Sequence, residues 1–137
     1  MEEIISKHIT LLEATKSDTA TKFGIKNMPT EEHLKAMKLV AERCFEPLRE
    51  WYGKPIKVNS FYRSKELNTA LKGSLTSQHC KGEAIDLDAG SKEENKKLFD
   101  WCKDHLVFDQ LINEYNFSWV HISYSPIKNR KQILVIK

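Results

Sequence analysis

Two five-residue segments, Ala84-Ile85-Asp86-Leu87-Asp88 and Trp119-Val120-His121-Ile122-Ser123, constrain the fold of this chain more than any other part of it. Successive side chains of a strand point to opposite faces, so alternation of apolar and polar residues marks a strand with one face in a core. In the first segment Ile85 and Leu87 take the core side, and Asp86 and Asp88 take the other. In the second, Val120 and Ile122 are buried while Trp119, His121 and Ser123 face away. If the two strands share a sheet, a carboxylate and an imidazole meet on its non-core face.

A second imidazole lies just upstream, in Ser77-Gln78-His79-Cys80-Lys81-Gly82-Glu83. Gly82 can supply a backbone turn that brings His79 back over Asp86. Two imidazoles and one carboxylate make a zinc set that leaves a coordination position open for water or a substrate carbonyl. His79, Asp86 and His121 therefore read as ligands of Zn2+. The bland alternative is that each histidine is a satisfied structural residue, and the spacing HxxxxxxD by itself is common. The conjunction with His121 in an apolar strand, and with Ser77 and Gly82 around His79, favours the metal. Asp88 is a reserve carboxylate, read mainly as an outer or exposed residue. His8, His33 and His105 lack such a context and read as surface residues.

Hydrolysis also needs a group that shuttles the proton of water. If Glu114 pairs with Trp119 across the turn Tyr115-Asn116-Phe117-Ser118, it becomes the diagonal neighbour of His121. Diagonal neighbours lie about 7–8 Å apart at the backbone, which makes Glu114 the candidate general base. Its alternative is a solvated charge at a strand end. Asp109, at the other end of the same strand, is a weaker candidate.

Around these segments the chain reads as α+β, with helices first and an antiparallel meander last. Ile9 to Thr15 is expected to begin as a short extended piece, and Lys16 to Pro29 to be an irregular connection with room for a single helical turn after Ser17. Thr30 should cap a core-forming helix that ends before Gly53, with His33 where a capping box would prefer Glu. A strand over Pro55–Asn59, a helix over Lys65–Lys72 and a helix opened by Ser91 and Glu94 follow. Strands over Phe108–Glu114, Trp119–Tyr124 and Lys131–Ile136 would form the meander.

The chain has 137 residues, which suits a single domain. Its 22 basic and 19 acidic residues are interspersed, which describes a solvated surface rather than a nucleic-acid footprint. Lys128-Asn129-Arg130-Lys131 is the densest basic cluster and reads as a solubility device in a turn. Cys44, Cys80 and Cys102 are odd in number and contain no CxxC, so free thiols and synthesis in a reducing compartment are expected. Neither a signal-peptide pattern nor a membrane span is visible, so the expectation is a monomer made in the cytoplasm, with no membrane insertion.

These residues resemble the zinc D-alanyl-D-alanine carboxypeptidase-like family, which includes D-Ala-D-Ala dipeptidases, phage L-alanyl-D-glutamate endolysins and the structurally related hedgehog signalling domain. The pattern SxHxxGxAxD is carried by Ser77, His79, Gly82, Ala84 and Asp86, and W-x-H by Trp119 and His121. Phe61-Tyr62-Arg63-Ser64 with Leu67-Asn68 is similar to the family's GYRS-x-x-LN segment. The likeness runs from about Ile9 to Tyr124 and is nearest to small phage or prophage forms. It implies a hedgehog/DD-peptidase-like fold, zinc on His79, Asp86 and His121, and Arg63 and Ser77 against the substrate's carboxylate or carbonyl. Arg63 would also stabilise charge during the reaction, and Gln78 would add a polar contact or face solvent. The implied substrates are peptidoglycan stem peptides, and the site of action is the bacterial wall, reached by release or by delivery through a partner. Two departures stand out. Ser118 occupies a position where many members carry an acidic residue, which moves the base to Glu114 and leaves open a non-catalytic zinc module of the same fold. Phe61 replaces the glycine of GYRS.

Overall fold

The computed structural model describes residues 3–137. A small hairpin opens it, β1 (Ile4–Ser6) against β2 (Ile9–Thr10), followed by the short helices α1 (Leu11–Thr15) and α2 (Asp18–Phe23). The expected extended start is thus confined to Ile9–Thr10, and Leu11 to Thr15 is helical. The reason is local: Thr10 caps the helix and Glu13 reaches back to the Thr10 backbone, a reciprocal capping box. Helix α2 fills and extends the single turn expected after Ser17, capped by Ser17 and closed by Gly24 in the left-handed region.

The main helix begins at Thr30, as expected, and His33 does the work of the missing Glu: its Nδ1 accepts from the Thr30 backbone N–H at 3.1 Å. It runs as α3 (Glu31–Val40), a π segment (Ala41–Phe45) and α4 (Glu46–Tyr52), ending at Gly53. Pro47 accounts for the π segment. A proline inside a helix has no N–H to give and crowds the carbonyl four residues back. Widening the preceding turn relieves this, and the Glu46 N–H reaches Ala41 O, five residues back.

The remaining elements are β3 (Lys57–Ser60), α5 (Lys65–Ala70), a 3-10 turn (Gln78–Lys81), β4 (Ala84–Asp88), α6 (Lys92–His105), β5 (Gln110–Glu114), β6 (Trp119–Ser123) and β7 (Gln132–Ile136). The five larger strands form one sheet in the order β3-β4-β6-β5-β7. Strand β6 lies between β4 and β5, antiparallel to both, so β4, α6 and β5 make a split βαβ unit. The expected antiparallel meander is corrected at its last step, because β7 runs parallel to β5. One edge of β6 is occupied by β4 and the other by β5, so the chain leaving β6 finds its free edge only beyond β5. One face of the sheet packs on the helices. Ile85, Leu87, Leu111, Val120 and Ile122 interlock there with Met37, Val40, Phe45, Leu48 and Leu98, all essentially buried. The other face is free to carry chemistry.

Candidate metal centre

Asp86 and His121 are directly opposed in the β4–β6 register, and His121 is opposed on its other side by Ile112 of β5. The alternation that buries Ile85 and Ile122 therefore places the carboxylate and the imidazole side by side on the other face. His121 Nδ1 lies 2.9 Å from Asp86 Oδ1.

His79 arrives from the 3-10 turn, where Ser77 Oγ accepts the His79 backbone N–H at 3.2 Å and Gly82 closes the turn at φ 76°. Glycine is required there on two counts. The left-handed backbone disfavours a side chain, and a Cβ would stand 2.7 Å from His33 O and 2.8 Å from Met37 Cγ of helix α3. The His79 ring sits with Nδ1 2.7 Å from Phe61 O. A carbonyl only accepts, so Nδ1 carries the proton and Nε2 presents a lone pair. That Nε2 is buried without a hydrogen-bond partner, although Asp86 Oδ2 is only 3.2 Å away.

Two acceptors at that distance repel unless a proton or cation lies between them. A metal ion would relieve that repulsion, and the donor atoms present suit one. One donor atom each from His79, Asp86 and His121 lies within 4.8 Å of the others. The Phe61 carbonyl supplies the partner that a ligating histidine takes on its other nitrogen. Two nitrogens and one carboxylate oxygen in this closeness suit zinc. Burial alone would raise the Asp86 carboxyl, but positive charge at the two imidazoles, of the kind a bound proton or cation supplies there, more than offsets this and holds it below the usual carboxylate range. It is therefore an anion in place, ready for a cation.

Glu114 occupies the position that the hairpin register assigns, with Glu114 opposite Trp119. Its Oε2 accepts from Trp119 Nε1 at 2.8 Å and stands 3.8 Å from His121 Nδ1. Burial, and then the charge of Asp86, raise its carboxyl above the ordinary value. Arg63 reaches the same centre from the loop after β3. Its Nη2 is 3.4 Å from Asp86 Oδ2, its Nε donates to Ser60 Oγ at 3.0 Å, and its Nη1 is 3.5 Å from Asn68 Oδ1. Ser77 lines the cavity, as does Gln78, whose Nε2 donates to Asp109 Oδ2 at 3.0 Å and to Glu83 Oε1 at 3.3 Å.

The other candidates lie elsewhere. Asp88 Oδ1 accepts from the Gly90 N–H and from Asn95 Nδ2, which shapes the turn into α6. Asp109 is paired with Arg130 and is no neighbour of the ligand set. His8 contacts Glu46, His33 caps α3, and His105 accepts no metal-like company, with Nδ1 against Trp101 O. All three cysteines are free. Sequence reasoning missed Asn27, which is buried and holds the loop carrying Arg63 through Tyr62 O and the Ser64 N–H. No local pattern around Asn27 signals that contact, since its partners are about 35 residues away. Asn68 was visible in the Leu67-Asn68 pair; it is buried, and Gly73 leaves room for its side chain.

The centre opens into a cavity of about 700 Å³, lined among others by Lys72, Ser77, Glu114, Tyr115, Trp119 and Arg130. Past Arg63, Asp86 and Trp119 it continues into a smaller recess of about 280 Å³ bounded by Ser17, Asp18, Asn59 and Ser60. Among curated proteins no match to this chain is found. A family model, Peptidase M15, matches residues 7–123, a span that contains the ligand set, Arg63 and Glu114. With that match across most of its length and a buried His-Asp-His group at its centre, the chain belongs to the peptidase M15 family.

Proposed function

We propose that this protein is a zinc-dependent peptidase that hydrolyses peptide bonds of peptidoglycan stem peptides. The observation that carries the reading is the convergence of His79, Asp86 and His121 with an ionisable, half-buried Glu114 beside them. Zinc held by the three ligands would supply Lewis acidity toward a substrate carbonyl and a water. Glu114 takes the proton from the attacking water and returns it to the leaving amine nitrogen as the C–N bond breaks. Trp119 holds Oε2 of that carboxylate, which leaves Oε1 as the working oxygen. Arg63, oriented by Ser60 and Asn68, lends positive charge to the developing oxyanion. Ser77 and Gln78 border the substrate on the larger side of the cavity.

Space on both sides of the ligand set favours cleavage within a peptide over removal of a terminal residue. From the substrate class follows a place of action in the bacterial wall, reached after release or by delivery through a partner. The test is digestion of purified muropeptides by the zinc-loaded protein, with the new termini identified by mass spectrometry. Glu114→Gln should retain zinc and lose roughly 10²–10⁴-fold in rate. Undiminished cleavage by that variant would remove Glu114 from the mechanism, and no cleavage by the native protein on any wall type would favour the binding module.

A further inference from the structure

Arg130 lies in the loop between β6 and β7, beyond the last residue matched by the family model, yet it lines the same cavity as the ligand set. Its guanidinium is gripped along one edge. Nε and Nη2 donate to Asp109 Oδ1 and Oδ2 at 2.8 and 2.9 Å, and the Arg130 backbone N–H adds a third bond to Oδ1 at 3.1 Å. Asp109 is 4% exposed and is held in turn by Gln78, whereas the Arg130 side chain is 52% exposed. A buried, anchored carboxylate thus fixes an open guanidinium.

A guanidinium carries five N–H donors, and Asp109 takes two of them. The others lie along the free edge, in the planar geometry that matches a second carboxylate. Anchoring removes much of the rotamer entropy that a free arginine would lose on binding. The arginine's surroundings agree with an anionic guest: Lys72 lines the same cavity, and the nearest carboxylate, Asp109, is already satisfied. The hydrogen bond from Arg130 lowers the Asp109 carboxyl against the opposing effect of burial.

Position along β5 sets the distance from the chemistry. Ile112 is opposite His121, Glu114 lies two residues further on, and Asp109 lies three residues back. Three strand residues span roughly 10 Å, about the reach of three residues of an extended peptide. We propose that Arg130 is the receptor for a carboxylate carried by the peptide substrate, two or three residues from the bond that is cut, on the side of the ligand set away from Glu114. The proposal rests on the peptidase reading for the word substrate, but the receptor itself can be tested separately.

Stem pentapeptides are compared in pairs that differ only by carboxylate or carboxamide, one pair at the internal γ-linked glutamate and one at the C-terminus. With zinc-loaded native protein, one pair should be discriminated by about tenfold or more in kcat/KM in favour of the carboxylate, as a charged hydrogen-bonded contact provides. Arg130→Gln should reduce that ratio to near one. A ratio that survives the substitution, or an equal slowing of both members of each pair, overturns the assignment and leaves Arg130 a structural partner of Asp109. A titration of the unsubstituted chain followed by the Arg130 Nε–H NMR resonance bypasses any folding defect. Saturable movement with the carboxylate peptide and none with its carboxamide twin is expected. Movement without hydrolysis would sink the peptidase reading and keep the receptor; no movement with either peptide would sink the receptor whatever the hydrolysis.

Discussion

Gly82→Ala probes how His79, the proposed zinc ligand on the 3-10 turn, is held in place. The added Cβ would meet His33 O at 2.7 Å and Met37 Cγ at 2.8 Å, and φ at this residue is +76°. The left-handed backbone costs a non-glycine residue about 1–2 kcal/mol. Methionine can bend away, but His33 O belongs to the backbone of helix α3 and cannot, so the turn itself must shift, at about 1–3 kcal/mol for overpacking. The sum is about 2–5 kcal/mol. Gly53→Ala is the control, because Gly53 has φ +73° with nothing within 4 Å of the added carbon, so it should show only the first contribution. Urea denaturation of the metal-free proteins measures both. Because His79 is three residues from Gly82, the same shift should weaken zinc binding by roughly 10–100-fold in competition with a chromophoric chelator. Gly53→Ala should leave zinc affinity as it is. The reasoning fails if the two variants are equally stable, or if Gly82→Ala loses stability while zinc affinity is untouched.

Other outcomes follow from individual contacts. Asp109 is lowered by Arg130, so the pair's contribution to stability is present above the carboxyl's unfolded value and is lost as pH falls through its folded value. Asp109→Asn should therefore flatten the loss of stability expected below about pH 4 on acid titration; an unchanged acid limb would refute the pairing. Burial pushes the Cys44 thiol up to about 12 and raises Cys102 as well; it also raises Cys80, but Cys80 is only half-buried and within reach of solvent. At pH 8 a disulfide reagent should titrate a single thiol in the folded protein and three after unfolding, and a second fast thiol in the native state would contradict the packing. The turn Tyr115-Asn116-Phe117 is left-handed at all three residues. Asn116→Ala, at its exposed centre, should cost about 1 kcal/mol in thermal or urea unfolding, because alanine lacks asparagine's tolerance of that region; a neutral or stabilising effect would count against the turn.

Much of the site was legible because its information is local. Period-two alternation in Ala84–Asp88 and Trp119–Ser123 already told which side chains leave the core, and the hairpin register between Glu114 and Trp119 followed from a short turn. Thr30 and Ser91 signalled their helices through capping chemistry that needs only neighbouring residues. The helix at Leu11 is masked in the sequence, although Thr10 and Glu13 carry the same kind of signal, because the apolar start Ile9 to Leu12 resembles a strand. The role of Gln78 in holding Asp109, and the partners of Asn27, lay beyond local reading because each links segments distant in the chain.

The amino-acid sequence by itself determined the candidate ligand types, the faces they occupy and the turn that carries His79, because a strand's alternation and a glycine's conformational freedom act within a few residues. Only the tertiary structure decided where β7 goes, since that depends on which sheet edge is vacant after β4 and β5 have paired with β6. That choice brings Arg130 to Asp109 and closes one wall of the cavity. Competition for backbone hydrogen bonds among distant strands is a property of the assembled sheet, and no stretch of the chain encodes its outcome alone.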